Sequence, residues 1–155
     1  MITREALYSA FFSQAQAAAL AAGVVSTGRR FKLWTDVPPE QQPALFQVQK
    51  DEEPYEQRGR PTRWYLKLQL FLYINVGEDP VTPQTPVLNP IIDAIEAAFP
   101  INRATGFQQL TAPWESQGGR GAYNVCWEKV EYFEDVLGGT TGQAVAVIDV
   151  RITSA

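Results

Sequence analysis

From Thr62 to Val76 the chain reads TRWYLKLQLFLYINV, and every even position is apolar: Trp64, Leu66, Leu68, Leu70, Leu72, Ile74 and Val76. The odd positions, Arg63, Tyr65, Lys67, Gln69, Phe71, Tyr73 and Asn75, mix polar and aromatic side chains. Alternation with period two places the two sets on opposite faces of a strand, so one face is destined for the core. At about 3.3 Å per residue such a strand reaches roughly 45–50 Å, longer than most. It is expected to project past its own domain, with Phe71 and Tyr73 covered by something else.

A different period governs residues 3–21. Leu7, Tyr8, Phe11, Phe12, Ala15, Ala18, Ala19 and Ala22 recur at three- and four-residue steps, the mark of a helix with one apolar stripe. Thr3 is a suitable N-cap, Glu5 suits the first turn, and Gly23 is a natural stop. A strand is predicted over Val24–Trp34 and another over Pro43–Gln49. A second helix begins at Thr85–Pro86 or at Asn89–Pro90, each a polar residue followed by proline, and ends before Pro100. Ala122–Asp135 alternates but changes phase near Glu128–Lys129, which predicts a bulge. The last strand carries Ala144, Ala146, Ile148, Val150 and Ile152 on one face. Two long loops remain, 50–61 and 101–121. The order is α-β-β-β-α-β-β: a single α+β domain over 1–155, mainly antiparallel, with two helices packed on the sheet.

Composition changes this picture chiefly by exclusion. The chain has no histidine, which removes the commonest general base and metal ligand. It has one cysteine, Cys126, so no disulfide forms within it. A net charge of −4 argues against an electrostatic grip on nucleic acid. Glu5, Gln14 and Gln16 interrupt any leader-like apolar run at the N-terminus, and no stretch approaches the roughly 20 apolar residues of a membrane span. The expectation is a soluble, unprocessed chain.

Candidate chemistry is correspondingly thin. Asp51, Glu52, Glu53 and Glu56 gather in one segment, and Glu128, Glu131, Glu134 and Asp135 in another. Acid–base catalysis needs two carboxylates held apart in a cleft with split pKa values, and acid runs in loops are usually solvated. SQGGRG, over 116–121, lacks the lysine and hydroxyl residue of a phosphate-binding loop and reads as a turn. Arg58, Arg60 and Arg63 lie beside the first acidic group. Acids of one copy could meet these arginines on the next, or the segment is an ordinary exposed loop. Cys126 and Trp127 read as packing residues. Trp34, Tyr65, Phe71, Tyr73 and Trp114 either line a ligand groove or bury against a neighbouring subunit, and a long projecting strand favours the neighbour. No catalytic, cofactor-binding or metal residue is assigned.

The connector WTDVPPEQQPALF, over 34–46, is stiffer than a turn requires: Pro38 and Pro39 fix φ, and Pro39 drives residue 38 out of the helical region. This stretch resembles a family of small proteins from tailed-phage and prophage structural gene clusters. RGRPTRWYLKLQLFLY, VLNPIIDAIEAAF and VLGGTTGQAVAVIDVRI match the same family in order, and the connector is the most specific of the four. The chain thereby resembles the tail terminator, or tail-completion, proteins of long-tailed phages.

That resemblance implies a structural protein without catalytic residues or cofactors. It implies a homo-hexameric ring at the head-proximal end of the tail tube, which stops tube polymerisation and presents a surface to the head–tail connector. The partners implied are further copies of itself, the tail-tube protein and the connector or stopper. DNA passes through the ring without base-specific binding, and no membrane is involved. The implied location is the virion tail or neck, assembled in the bacterial host cytoplasm. Trp34, Arg58, Arg60, Arg63, Tyr65, Phe71, Tyr73 and Trp114 are then expected at subunit or assembly interfaces. Asp51, Glu52, Glu53 and Glu56 are expected on an acidic surface or lumen. A head–tail stopper or neck protein is the nearest alternative, and a small carboxylate-dependent enzyme or ligand-binding module the more distant one.

Overall fold

A computed structural model of the chain describes residues 3–56, 58–59, 62–77, 83–104, 106–110, 123–137 and 142–154. Helix α1 (Arg4–Ala21) begins where the sequence places it: the Thr3 hydroxyl accepts the Ala6 N–H at 3.2 Å, satisfying one of the free donors of the first turn. Gly23, at φ 102°, turns the chain out of the helix. Among the described residues six strands form one sheet in the order β1-β2-β3-β6-β5-β4. They are β1 (Ser26–Gly28), β2 (Ala44–Tyr55), β3 (Arg63–Gly77), β4 (Gln108–Gln109), β5 (Tyr123–Leu137) and β6 (Gly142–Ser154). Only β1 and β2 run parallel; the other pairs are antiparallel. Helix α2 (Thr85–Ala97) lies with α1 on one face, completing the α+β layer arrangement.

The even positions of β3 do what their alternation demands. Leu66, Leu68, Leu70, Leu72 and Ile74 are buried in one core with Ala144, Ala146, Ile148, Val150 and Ile152 of β6. Above them Phe11 of α1 is fully enclosed, stacked on Phe99 with ring centres 4.8 Å apart and tilted against Trp127 at 6.2 Å. The helices are also tied by hydrogen bonds. Gln14 donates to the Ala98 carbonyl at 2.6 Å, and Gln108 donates to the Glu96 carbonyl at 2.8 Å, so side chains satisfy acceptors that the end of α2 leaves free.

Three expectations change, and one open alternative is resolved. The strand predicted over Val24–Trp34 is paired only at Ser26–Gly28, because β1 sits at the sheet edge and only Ala44–Phe46 of β2 lies beside it. Trp34–Asp36 instead coils into a 3-10 turn, and Pro39–Gln41 into another. Conversely, β2 runs through Tyr55, so most of the acidic segment read as a loop is strand, with a register slip between Gln49 and Glu52. Helix α2 starts at Thr85 and carries Pro90 inside it; the buried series Leu88, Ile91, Ile92 and Ile95 is continuous across the proline. Finally, β3 does not run out alone. Its length is as expected, but β2 flanks it from Arg63 to Tyr73 and β6 from Tyr65 to Gly77. The bulge near Glu128–Lys129 is present, as a slip between Trp127 and Lys129 against β6. Much of the expected loop 101–121 lies outside the described residues. Its described start is a tight turn in which the Gly106 N–H donates to the Asn102 carbonyl at 2.7 Å.

Candidate functional site

The helices cover one face of the sheet, which leaves the odd positions of β3 facing the other way. That second face is divided in two. At the end near Tyr73 it is closed by the proline connector of the same chain. Val37 is buried against Ala44, Phe46, Tyr73 and Val145, with Trp34, Phe71 and Val147 packed alongside. Tyr73 has no exposed surface, and its hydroxyl donates to the Lys32 carbonyl at 2.8 Å. Burial pushes that hydroxyl up to about 12 from its ordinary value of 10. Buried Gln42 donates to the Val37 carbonyl at 2.9 Å and to Gln143 Oε1 at 3.1 Å, joining connector and β6. Stiffness therefore has a use within the subunit: Pro38, at φ −60° and ψ 150°, holds the extended geometry that returns the chain to β2.

The other half of this face is open and paved with charge. Lys67 stands between Glu53 at 3.1 Å and Asp51 at 3.6 Å. The hydrogen bond that Lys67 donates to Glu53, with the fields of both acids, holds the ammonium above the usual lysine range. Gln69 donates to Asp149 at 2.8 Å, and Lys50 reaches the same carboxylate at 3.8 Å. Arg151 meets Glu128 at 3.3 Å and lies over the Tyr65 ring at 4.6 Å, while Tyr65 packs beside Tyr55 at 5.1 Å. Lys129 pairs with Glu131 just past the bulge. Most of these ions are well exposed, so each pair contributes little to stability; their order across the surface is what could guide a partner.

This arrangement relocates the residues singled out in the sequence. Tyr73 is enclosed by its own chain, so its cover is the connector; Trp34 and Phe71 pack beside it and stay half-buried. Tyr65 and Arg63 are half-buried on β3, and Arg58 is exposed at a turn. Arg60 and Trp114 lie outside the described residues. The acids do not act as one group. Asp51 and Glu53 face Lys67, whereas Glu52 points to the helix face, accepting from Arg4 Nε at 2.5 Å and from the Tyr8 hydroxyl at 3.1 Å. Burial, reinforced by Glu52, raises the pKa of the Tyr8 hydroxyl. Glu56 is exposed. Glu128 and Glu131 pair with Arg151 and Lys129, and the side chains of Glu134 and Asp135 lie outside the description.

Among the described residues no cluster of three potential ligands could hold a metal ion, and no helix is long and apolar enough to cross a membrane. A cleft of about 650 Å³ opens where α1 begins, lined by Leu7, Trp64, Leu66, Tyr123 and Ile152 with Arg4 and Arg63 at its rim. Arg4 lies over Trp64 at 4.7 Å, but among the described residues lining the cleft there is no carboxylate pair and no nucleophile–base pair. Sequence reasoning missed Lys50, Asp149, Arg151 and the Gln42–Gln143 link. Asp149 and Arg151 were legible as the polar positions of an alternating strand; the glutamine pair joins residues too far apart in sequence to signal itself.

No protein-family model and no curated protein matches the sequence. Solved structures do match in fold. One, whose title gives no function, aligns over 100% of this chain and 97% of its own with TM-score 0.55 and 14% identity. Another belongs to a structure titled as the virion of a native gene transfer agent particle. It aligns over 96% of this chain and 93% of its own, with TM-score 0.53 and 8% identity. At such identities the correspondence establishes a shared fold along the whole chain.

Proposed function

We propose that this chain is a structural protein of a phage-like particle, and specifically a tail terminator. The observation that carries the reading is the end-to-end fold correspondence with a chain of a gene transfer agent virion. It agrees with the motif resemblance, which was drawn from sequence alone. The described ionic side chains of the open sheet face are compatible with it, since they pair with one another on an open surface and form no acid–base pair in a cleft. In this role copies form a ring, a hexamer by the resemblance, on the last ring of the tail tube. The ring stops tube growth and offers its other side to the head–tail connector. DNA passes through a bore walled by copies that each bring a net charge of −4, which disfavours sticking to the phosphate backbone.

Electron microscopy of a lysate in which this gene alone is disrupted tests the role. Filled heads beside detached tails of uncontrolled length are expected. Detached tails of normal length would move the protein to the connector or stopper, and normal infectious particles would overturn the structural role.

A further inference from the structure

Ten large apolar side chains stand exposed among the described residues, and nine of them fall on two stretches at opposite sides of the sheet. Leu20, Val25, Phe31 and Leu33 lie on the run from the end of α1 through β1 into the connector. Val87, Ile101, Phe107, Tyr132 and Phe133 lie on α2, on the turn before β4 and on β5. The tenth, Trp64, lines the cleft under α1. Isolated exposed apolar residues need no explanation, but a partition onto two opposed edges is what a head-to-tail contact requires. In the strand order β1 and β5 are separated by β2, β3 and β6, which puts them roughly 19 Å apart at the usual spacing. One copy therefore cannot bring its two edges together.

Charge distinguishes the edges as well. Arg29–Leu33 reads RRFKL, with three cations and no acid; α2 carries Asp93 and Glu96 and no cation. Arg29 is paired with Glu5, whereas Arg30, Lys32, Asp93 and Glu96 are exposed and their side chains have no ionic or hydrogen-bond partner among the described residues. The acids nearest in sequence to the first group, Asp36 and Glu40, follow in the turns of the connector, and Arg103 follows α2. Beyond their short outer neighbours β1 and β4, β2 and β5 carry guards against indiscriminate strand addition: β2 has its register slip and Pro54, and β5 its bulge. Contact between edges is thus through side chains.

We infer that the partner of each edge is a second copy of this chain, the Val25–Leu33 edge of one copy packing against the α2–β5 edge of the next, with Arg30 and Lys32 facing Asp93 and Glu96. The inference rests on the ring reading above and supplies its interface. Two different surfaces on opposite edges make a heterologous contact, which closes into a ring when the rotation per copy divides a full turn. The four charged residues set register, and the apolar residues supply the buried area.

The test uses the full chain and three variants: Arg30→Glu with Lys32→Glu, Asp93→Lys with Glu96→Lys, and all four together. Association is read by sedimentation velocity and native mass spectrometry over a range of concentrations, with circular dichroism to verify folding. The wild type is expected to form a closed oligomer of more than two copies. Each double variant is expected to weaken association about 100-fold, because like charges then face each other, and the quadruple variant to restore it. Oligomers indifferent to both double variants, a wild type that stops at a dimer, or a wild type that stays monomeric at the highest concentration would each overturn the edge pairing. The first of these leaves the virion role standing. A normal lysate after gene disruption removes that role without touching the edge pairing.

Discussion

Replacing Tyr73 with phenylalanine removes one oxygen from the most enclosed part of the second sheet face. The ring contacts with Phe46 at 5.8 Å and Phe71 at 6.4 Å survive, so the loss is confined to the hydrogen bond to Lys32. A neutral hydrogen bond contributes about 1 kcal/mol net, and water can reach the carbonyl of exposed Lys32, which keeps the cost near that figure. For a chain of this size the melting temperature should fall by about 2–4 °C at neutral pH. The pH dependence is more diagnostic. The folded-state value, about 12, lies above the ordinary 10, so the contribution is complete below pH 10 and is lost as pH rises toward 12. The loss runs at about 1.4 kcal/mol per pH unit in that window. At pH 11 the wild type has therefore given up stability, on the order of 1 kcal/mol, that Tyr73→Phe never had to lose. The variant should be the weaker protein at pH 7, and its deficit should shrink as pH rises above 10. Urea unfolding followed by circular dichroism at pH 7, 9, 10 and 11 reads this directly, since the remaining tyrosines are common to both proteins. A difference that stays constant across the series would refute the buried hydroxyl, and no difference at pH 7 would refute its bond to Lys32.

Phe11→Ala should cost about 3–5 kcal/mol, because a fully enclosed ring stacked on Phe99 leaves a cavity that the rigid sheet cannot fill; a denaturation midpoint within error of wild type would contradict that packing. Glu52→Ala should cost about 1–3 kcal/mol by leaving the buried Tyr8 hydroxyl without its acceptor, while Glu52→Gln, which keeps an acceptor, should cost less. Equal melting temperatures for these two variants would show that Tyr8 does not depend on Glu52. Thr3→Ala should lower stability by about 1 kcal/mol through loss of the cap on Ala6, measured as increased hydrogen exchange in the first turn of α1.

What was legible in the sequence was what is set locally. The alternation over Thr62–Val76, the helix stripe from Leu7 to Ala19 and the phase change near Glu128 each depend on neighbours a few residues away, and each has its counterpart in the fold. The acidic run Asp51–Tyr55 failed as a strand signal for a physical reason. Its two faces are both polar, one meeting Lys67 and the other Arg4 and Tyr8, so no hydrophobic period survives. The fate of Phe71 and Tyr73 was illegible because their cover, Val37 and Trp34, comes from more than thirty residues upstream, and nothing in the local pattern says which half of a sheet face a connector will close. That closure bears on assembly. With Tyr73 enclosed and Trp34 and Phe71 half-covered by the connector, the described surfaces most open to a neighbouring copy are the ionic half of the face and the two apolar edges. Of these, the described ionic half is already largely satisfied by its own pairs and would gain little from desolvation. The edges carry exposed apolar side chains and unpaired charges together, so under the proposed edge pairing the free energy for closing a ring would come from there.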